Sequence, residues 1–305
     1  MTALGLLAGV ALDQALGDPR RGHPVALFGA VASRLEVRMW RDRRGAGVRY
    51  TALLAGSAAA LGLAAGRASG LRLAAATAVG TWTVLGGRSL AGEAAAIEAL
   101  LAAGDLPAAR LRLTRLVGRR TEHLDEAEIA RATIESVAEN TSDAIVAPLM
   151  WGAVAGLPGL LAYRAVNTLD AIVGHHSPRH ENFGWAAARA DDVVNWAPAR
   201  LTGLLAAACA PAVGGRPGET WRAMRRDGAR HPSPNAGRCE AAFAGALGVR
   251  LGGTNVYDGE TEHRPSLGRG REPEPGDIRR AVRLCRAVTI AATAAAAVAA
   301  WIGGR

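Results

Sequence analysis

Carboxylate and carboxamide side chains are concentrated at both ends of one long apolar segment. Residues 144–163 form a run of twenty residues without a charge. Glu135 and Glu139 precede this run, and Asn167 and Asp170 follow it. Because acidic groups beside an apolar span are costly to desolvate, they are typical of sites that bind a metal ion, a phosphate or a proton. The spacing therefore predicts chemistry at a membrane boundary.

The glutamates before the apolar run are spaced to share one face of a helix. Glu135 and Glu139 are four residues apart, and Ser142 and Asp143 follow within one further turn. Two like charges on one helical face repel each other unless a cation or an arginine lies between them, which favours bound Mg²⁺ or a substrate amine. The alternative is a solvated face on which the glutamates pair with Arg131.

Two further motifs supply oxygen ligands. Asp191, Asp192 and Asn195 form a DDxxN pattern, and Asn167 and Asp170 form an NxxD pattern earlier in the chain. Mg²⁺ takes oxygen ligands and often uses only one or two carboxylates together with substrate phosphate. Adjacent aspartates are also common at helix starts, but the two motifs in combination predict a magnesium–phosphate site.

The segment 231–238, HPSPNAGR, is a distinctive loop. Its two prolines restrict the backbone, and Gly237 allows a ligand to approach closely. Ser233, Asn235 and Arg238 supply donors that suit a phosphate. The loop is not GxGxxG and follows no predicted strand, so the Rossmann and Walker classes of nucleotide site are excluded.

Two other turns contain candidate polar ligands. The segment 17–25, GDPRRGHPV, presents Asp18 and His23 on a backbone stiffened by proline, and a purely structural turn is an equal alternative. His175 and His176 lie in a second turn. No third ligand there has zinc-like spacing, so contacts with carbonyl groups or lipid headgroups are expected.

Arginine supplies all 36 basic residues of this 305-residue chain. The absence of lysine excludes a P-loop lysine, a Schiff-base lysine and a lysine nucleophile. The net charge of +9 suits a membrane surface or anionic small molecules, and no run of basic and aromatic residues indicates nucleic-acid binding. Cys209, Cys239 and Cys285 are too widely spaced for a disulfide framework or a zinc site. Asp13 inside the first apolar run argues against a cleaved signal peptide.

Uncharged runs predict the helices that position these motifs. The runs lie near residues 2–16, 51–66, 73–87, 144–163, 201–215 and 287–304. A helix needs roughly 17–25 apolar residues to cross a bilayer, and only the runs 144–163 and 287–304 reach that length. The predicted fold class is all-α: a polytopic integral membrane helical bundle formed by a single domain over residues 1–305. The alternative, a soluble Ala-rich bundle, is disfavoured because buried soluble helices seldom extend so far without a charge.

The polar segments between the runs are predicted to differ in structure. Residues 89–138 are predicted to form amphipathic helices, with Asp105 as an N-cap. Residues 216–276 are predicted to be mostly a long Gly/Pro-rich polar loop, and no series of β-strands is recognised. The arginine-rich segment 34–49 is predicted to be a cytoplasmic loop by the positive-inside rule, in a multi-pass protein of the bacterial inner membrane.

Several segments, taken in order, resemble one family, the adenosylcobinamide-phosphate synthases (CobD/CbiB) of cobalamin biosynthesis. The segments are 17–25 (GDPRRGHPV), 117–121 (VGRRT), 135–143 (ESVAENTSD) with 147–149 (APL), 163–170 (YRAVNTLD), 183–189 (FGWAAAR) with Asp191, Asp192 and 198–200 (PAR), and 231–237 (HPSPNAG). The resemblance covers nearly the whole chain. It implies an integral membrane enzyme that joins adenosylcobyric acid to (R)-1-amino-2-propanol or its O-phosphate. The product would be adenosylcobinamide or its phosphate, with ATP and Mg²⁺ required.

The resemblance also implies partners and residue roles. The expected partners are corrinoid and aminopropanol-type substrates, membrane lipid and other corrinoid-pathway membrane enzymes, but no nucleic acid. The residues expected to be catalytic are Glu135, Glu139, Asp143, Asp170 and Asp192. Those expected to bind substrate or phosphate are Asp18, His23, Arg119, Asn140, Asn167, Arg189, Arg200, His231, Ser233, Asn235 and Arg238. The expected metal ligands are Asp170, Asp191, Asp192 and Asn195.

Amide formation from a carboxylate requires an activated acyl group such as an acyl phosphate, whose charge Mg²⁺ and arginines would stabilise. Two other classes of protein fit the same residues. A Mg²⁺-dependent intramembrane phospho- or prenyltransferase also holds a diphosphate on paired acidic motifs, and a transporter would use the acids to line an ion path. Consumption of ATP with formation of a new amide separates the first class from both.

Overall fold

The fold is known from a computed structural model, which describes residues 1–19, 22–175, 177–257 and 260–304. Side chains are described throughout these ranges except at residues 255–257 and 260–262. Two arginines of the 17–25 turn, Arg20 and Arg21, and the loop histidine His176 lie outside the described residues.

Most of the described chain is helical. The α-helices are α1 (Thr2–Leu16), α2 (Pro24–Met39), α3 (Arg44–Gly66), α4 (Gly70–Val84), α5 (Gly87–Ala102), α6 (Leu106–Leu113), α7 (Glu126–Thr141), α8 (Ala147–Leu169), α9 (Trp185–Val194), α10 (Trp196–Cys209), α11 (Pro217–Asp227), α12 (Ala236–Leu247) and α13 (Pro275–Ile302). π-Helical segments at Ser142–Val146 and Asp170–Gly174 flank α8, and 3₁₀ turns follow α10 and α11 at Ala210–Val213 and Gly228–Arg230. The strands β1 (Leu251–Tyr257) and β2 (Glu260–Leu267) pair antiparallel as a hairpin.

The chain divides into two compact units. The first unit consists of Met1–Gly86, Asp143–Asn195 and Ala292–Arg305. The second unit consists of Gly87–Ser142 and Trp196–Ala291. The single domain over the whole chain stays a prediction.

The first unit is built from apolar helices. Its core packs around Tyr50 and Phe183, whose ring centroids are 5.1 Å apart. The buried Tyr50 hydroxyl donates to the carbonyl of Ala32 over 3.0 Å, which joins α3 to α2. Gly156, with a φ of 66°, and Pro158 interrupt α8, because proline removes a backbone hydrogen bond and opposes a regular helix.

The second unit combines shorter helices with the hairpin. Asp125 and Glu128 form a capping box at the start of α7, in which each carboxylate accepts from the other residue's backbone N–H at 2.8 and 2.9 Å. Asp105 caps α6 by accepting from the Ala108 N–H, which confirms its predicted role. These caps determine where α6 and α7 begin.

Two predictions about loops are wrong. Residues 216–276 are not mostly loop, because several of their glycines and prolines lie at the ends of regular elements and others lie within them. Pro217 begins α11, and Gly248, with a φ of 69°, ends α12. The hairpin that follows was not recognised in the sequence, and the described chain is therefore mostly helical and not all-α as predicted. The segment 34–49 is largely helical, since only residues 40–43 separate α2 from α3.

Among the described residues, three helical segments are long and apolar enough to cross a membrane: Arg44–Gly66, Glu126–Gly174 and Pro275–Ile302. The first was predicted to be too short. It reaches a spanning length because α3 begins at Arg44, within the basic segment, and not near residue 51.

Other predicted apolar runs form shorter helices. The run 2–16 coincides with α1, an apolar helix below spanning length. The runs 73–87 and 201–215 correspond to α4 and α10, which have 15 and 14 residues and which begin and end earlier than predicted. Helix length and composition are therefore consistent with a membrane protein, and its exact number of spans stays a prediction.

Candidate functional site

A polar cavity of about 210 Å³ lies within the second unit. Its wall is formed by the segment after α6, by α7 and α12, by the loop before α12 and by β2. The lining residues are Leu116, Val117, Gly118, Arg119, Ala132, Glu135, Ser136, Glu139, His231, Ser233, Ala236, Glu240 and Arg264. Charged groups of both signs thus face one small volume, where desolvation is costly unless a partner or ligand compensates them.

Glu135 is a firmly held carboxylate in the wall of this cavity. Arg119 Nη2 donates to Glu135 Oε2 over 2.6 Å, and both side chains are buried. The Gly252 N–H donates to Oε1 over 2.8 Å, and Arg131 Nη1 lies 3.9 Å from the same oxygen. Arg131 also donates to the carbonyls of Gly252 and Thr254, which ties β1 to α7. Two cations and one amide therefore compensate Glu135, as a buried carboxylate requires.

Glu240 is a buried carboxyl that the sequence interpretation missed. It lies on α12, is only 1 % exposed, and its Oε2 has no hydrogen-bond partner among the described residues. Burial raises the pKa of Glu240 well above its ordinary value, and the charges of Glu135 and Glu139 raise it further. The guanidinium groups of Arg264 and Arg119 oppose this rise. The available signal was one acidic residue among the mostly small and apolar residues of α12.

The imidazole of His231 faces the Glu240 carboxyl. His231 is buried, and its Nε2 lies 3.8 Å from Glu240 Oε1. The Ser233 N–H lies 3.1 Å from Nδ1 and donates to it, whereas the Ser233 carbonyl is 3.4 Å away. The shorter contact assigns the ring proton to Nε2, on the side of Glu240.

Ser233 of the 231–238 loop lines the cavity, and the contacts of its remaining polar residues are structural. Ser233 Oγ accepts from backbone N–H groups at the start of α12, at 3.1 and 3.3 Å. Asn235 Oδ1 lies 3.4 Å from Arg200 Nη1. Arg238 Nη1 donates to the carbonyl of Met224 over 3.1 Å, near the end of α11. Neither Asn235 nor Arg238 lines the cavity, so their predicted phosphate contacts stay predictions.

Two further predicted site residues of the second unit, Glu139 and Asn140, lie on α7. Glu139 is exposed and lies on the cavity wall one turn beyond Glu135, so the helical spacing brings both glutamates to one volume. Asn140 Nδ2 donates to the carbonyl of Ser136 over 2.9 Å, within its own helix, and does not line the cavity.

A second polar cluster lies within the first unit, where the NxxD and DDxxN motifs meet. Asn167 Nδ2 donates to Asp191 Oδ1 over 3.3 Å. The buried Tyr163 hydroxyl donates to Asn195 Oδ1 over 2.8 Å and lies 3.0 Å from the carbonyl of Asp143. These contacts join the end of α8 to the end of α9.

The adjacent residues Asp191 and Asp192 have different surroundings. Burial raises the pKa of Asp191, and the charge of Asp192 adds to this rise. Hydrogen bonds from Asn195 and Asn167 oppose it. Asp192 Oδ2 instead accepts from Arg189 Nη1 over 3.3 Å, and the arginine is exposed. Both aspartates lie near the C-terminal end of α9, so the alternative that they mark a helix start is wrong.

The remaining acidic residues lie in the π-helical segments. Asp143 is in the first segment and Asp170 begins the second, and both are half-buried. The carboxylate of Asp170 lies against Gly174, where any larger side chain would overlap it. π-Helical turns are frequent at functional sites, and the roles predicted for both aspartates stay predictions.

The 17–25 turn has a structural role. His23 Nδ1 accepts from the Val25 N–H over 3.2 Å, which caps α2. His23 Nε2 lies 3.8 Å from Asp18 Oδ1. The pair thus braces the start of α2, and a ligand contact at either residue stays a prediction.

Within the described part of the chain, no three or more His, Cys, Asp or Glu side chains are arranged to hold a metal ion. Mg²⁺ does not require such a group, because it often takes one or two carboxylates and completes its shell with substrate oxygens and water. Asp191 and Asp192 are carboxylates that could serve in this way. The side-chain amide oxygen of Asn195, Oδ1, already accepts from the Tyr163 hydroxyl, so that side chain fits an orienting role.

Comparison with known proteins connects this geometry to a family. Residues 6–285 match the family model described as CobD/Cbib protein. A Mycobacterium tuberculosis protein named Cobalamin biosynthesis protein CobD is 52% identical over 287 residues, which cover 94% of this chain and 92% of that protein. Proteins of the same name from Rhodobacter capsulatus and Geobacter metallireducens are 43% and 44% identical, covering 92% and 90% of this chain and 92% and 89% of their own lengths. No solved structure matches the chain.

Proposed function

The chain belongs to the CobD/Cbib family, and from this premise we propose that it catalyses an ATP-dependent amide-forming step of cobalamin biosynthesis. It joins adenosylcobyric acid to (R)-1-amino-2-propanol or its O-phosphate. The observation that carries this proposal is the cavity of the second unit, where buried carboxylates and guanidinium groups face one polar volume. Such a site suits a reaction in which an anionic acid and a cationic amine lose their charges together.

The size of the cavity limits which part of the substrates it can hold. A volume of about 210 Å³ accommodates a small amino alcohol and the end of one acyl side chain, but not a corrin ring. The macrocycle therefore stays outside while the reacting carboxyl enters. Arg264 and Arg119 on the wall are suited to stabilise the oxygens of an activated acyl group, because preorganised cations favour developing negative charge.

Activation by ATP accounts for the required chemistry. The substrate carboxylate attacks the terminal phosphorus of ATP, which releases ADP and leaves an acyl phosphate. The amine then displaces phosphate and forms the amide. When bound, Mg²⁺ neutralises phosphate charge, and we assign its protein ligands to Asp191 and Asp192. Asp191 supports this assignment because it is half-buried and adjacent to Asp192, so a bound cation would compensate two neighbouring negative charges.

The direct test is mass spectrometry of the products formed by the purified protein. The reaction would contain ATP, Mg²⁺, adenosylcobyric acid and either aminopropanol or its phosphate, with an ATP-free reaction as the control. We expect a product whose mass is the sum of acid and amine less one water, formed together with one ADP. A phosphoester or a prenylated product would favour the transferase class, and unchanged substrates would overturn the proposal.

We further propose that the protein lies in the bacterial inner membrane with the basic segment 34–49 on the cytoplasmic side. The support is the three helical segments of spanning length among the described residues and the positive-inside rule. Single cysteines placed at residues 40–43 in a cysteine-free variant would be tested with a membrane-impermeant reagent. We expect no labelling in intact cells and full labelling after lysis. Labelling from outside intact cells would contradict this orientation.

A further inference from the structure

Carboxyl groups outnumber guanidinium groups on the wall of the 210 Å³ cavity. Among the described residues that line it, three carry a carboxyl group and two carry a guanidinium group: Glu135, Glu139, Glu240, Arg119 and Arg264. Arg131, behind the wall, supplies a third positive charge, and this charge lies beside Glu135. A cationic ligand would therefore be attracted to Glu139 and Glu240, whereas a second anion would need one of the carboxyls to be protonated.

Glu135 is not the carboxylate that would accept hydrogen bonds from such a ligand. Its Oε2 accepts from Arg119 and its Oε1 accepts from the Gly252 N–H, so both oxygens are already engaged. The buried Glu135 side chain is thus committed to the protein's own contacts. Its charge still acts on the cavity, because it raises the pKa of Glu240.

Glu240 has the opposite character. Its side chain is buried and lines the cavity, and its Oε2 has no hydrogen-bond partner among the described residues. A buried oxygen without a hydrogen-bond partner costs free energy, and a hydrogen-bond donor on the substrate would remove this cost. His231 Nε2 lies 3.8 Å from the other oxygen and leaves Oε2 available.

We propose that Glu240, together with Glu139 at the exposed side of the cavity, forms the subsite that binds the ammonium group of the amino-alcohol substrate, with Glu240 as the general base. This inference rests on the proposed amide-forming function and names the residues that receive its amine. The exposed position of Glu139 provides a first contact for the cation, and the buried Glu240 provides the second. An ammonium group has three donors, which two carboxylates can accept.

The reaction at this subsite is balanced in atoms and charge. The Glu240 carboxylate takes one proton from the ammonium group and leaves a neutral amine. The nitrogen lone pair forms the C–N bond to the acyl phosphate, and the C–O bond to phosphate breaks with its electron pair on the phosphate oxygen. The second N–H proton that is lost as the amide forms leaves with the phosphate. Glu240 then returns its proton to solvent.

The surroundings of Glu240 make it a stronger proton acceptor than an exposed carboxylate. Its pKa is raised first by burial and then by Glu135 and Glu139, while Arg264 and Arg119 lower it. The imidazole of His231 also faces Glu240, with Nε2 3.8 Å from Oε1. General bases are most effective when their pKa lies near the working pH, so a raised carboxyl pKa is favourable here.

The test compares two nucleophiles in Glu240→Gln. Hydroxylamine is uncharged at neutral pH and traps an acyl phosphate as a hydroxamate, so it needs neither a cation subsite nor a general base. We expect the variant to form hydroxamate within about twofold of the parent rate, while kcat/KM for the aminopropanol falls on the order of 10²- to 10⁴-fold. The KM for ATP should not change. Glu274→Gln, an exposed glutamate outside the cavity, is the matched control and should match the parent with both nucleophiles.

Two outcomes would overturn the subsite while leaving the proposed function intact. In the first, parent and Glu240→Gln make the amide with the same kcat/KM. In the second, the variant loses hydroxamate and amide to the same extent, which would make Glu240 a general structural residue. If the parent itself forms neither hydroxamate nor amide, the proposed function fails as well.

The ammonium subsite can also be tested on the parent protein alone, which keeps the proposal testable if Glu240→Gln does not fold. Propylamine, a cation, should inhibit amide formation competitively against the aminopropanol, whereas neutral propane-1,2-diol should not. Equal competition by the diol would overturn an ammonium subsite.

The pH profile adds a readout that a purely structural role would not change. The value of kcat/KM for the amine should rise with pH as Glu240 ionises. Glu240→Asp should retain this rise, and Glu240→Gln should lose it.

Discussion

The two compact units are stabilised internally by different kinds of contact. In the first unit, helices approach closely at small residues. In the second unit, they are joined by buried ion pairs. Replacing a buried ion pair by apolar side chains is often neutral or even stabilising, so such pairs add little net stability compared with apolar packing. Their concentration in the second unit is consistent with the binding and chemistry that we propose for its polar interior.

The close approach in the first unit is clearest between α1 and α4. A Cβ at Gly5 would overlap Thr77, and a Cβ at Gly9 would overlap Thr81. The four-residue spacing of each pair places these contacts on one face of each helix. Small residues of this kind allow helix backbones to approach in a lipid environment, where no hydrophobic effect drives the helices together.

The second unit uses arginine–carboxylate contacts instead. Asp277 accepts from Arg271 and from Arg280, each at 2.7 Å. Asp227 accepts from Arg226 over 2.7 Å and from a backbone N–H of the hairpin's end over 3.0 Å. With the pair around Glu135, these contacts hold the short helices and the hairpin in one unit.

The largest effect on stability is expected at Arg119. Arg119→Met removes one partner of a buried carboxylate, so the free energy of unfolding should fall by about 3–5 kcal/mol. Arg120→Met is the control, because Arg120 and its partner Glu122 are exposed, and it should change that free energy by less than about 0.5 kcal/mol. Denaturant titration of the purified variants measures both values. Equal effects would show that the buried pair is no more important than a surface pair.

A comparable loss, in rate and not in stability, is expected in the first unit at Asp191. Asp191→Asn keeps the shape and removes the charge, and activity should fall on the order of a thousandfold, because a missing metal ligand costs several kcal/mol of transition-state stabilisation. Asp192→Asn should have a similar effect, and excess Mg²⁺ should partly restore at least one variant. Asp42→Asn, on an exposed aspartate of the same unit, is the control. Near-parental activity of a well-folded Asp191→Asn would remove this residue from the metal site.

Close packing in the first unit is tested at Gly47. A Cβ at this position would overlap the backbone carbonyl of Phe183, which cannot move aside as a flexible side chain could. Gly47→Ala should therefore lower the free energy of unfolding by about 1–3 kcal/mol. Gly56→Ala, in the same helix with open space around it, should be neutral or stabilising by up to about 1 kcal/mol. Similar melting of the two variants would contradict packing through small residues.

The smallest effects are expected from pH, and they have opposite signs at two carboxyls of the second unit. Hydrogen bonding from Arg226 lowers the pKa of Asp227, so its contribution to stability is present at neutral pH and lost as the pH falls through this lowered pKa. The pKa of Glu240 is raised, so its contribution is present at acidic pH and lost as the pH rises through the raised pKa.

Substitution separates these two contributions. Asp227→Asn should lower Tm at neutral pH and have little effect in acid. Glu240→Gln should raise Tm at neutral pH by about 2–4 °C for each kcal/mol of relieved repulsion, and less in acid. Thermal melting across a pH series measures both. A Glu240→Gln variant that melts below the parent at neutral pH would contradict an uncompensated buried carboxyl.

The sequence predicted local features of the fold better than its long-range contacts. The boundaries of α1 and the Asp105 cap were predictable, because apolar runs and capping residues act within a few positions of themselves. The hairpin was missed because Gly252 and Gly253, which read as loop residues, adopt positive φ at an irregularity of β1. These glycines therefore belong to a β-bulge within a strand and not to the loop that was predicted.

The candidate site was predictable where helical spacing determined it. Glu135 and Glu139 reach one cavity wall because they are one turn apart on α7. Glu240 could not be placed there from spacing, because its distance from α7 depends on how α12 packs in the unit. Arg264 was missed for the same reason, since it comes from a strand that was not expected.

Transfer of labelled oxygen from the acid tests the central claim of ATP-driven amide formation most directly. Adenosylcobyric acid labelled with heavy oxygen in both oxygens of the reacting carboxylate would be incubated with the protein, ATP, Mg²⁺ and the aminopropanol. Formation through an acyl phosphate predicts one labelled oxygen in the amide and the other in inorganic phosphate. Label in AMP, or unlabelled phosphate beside a newly formed amide, would contradict this account.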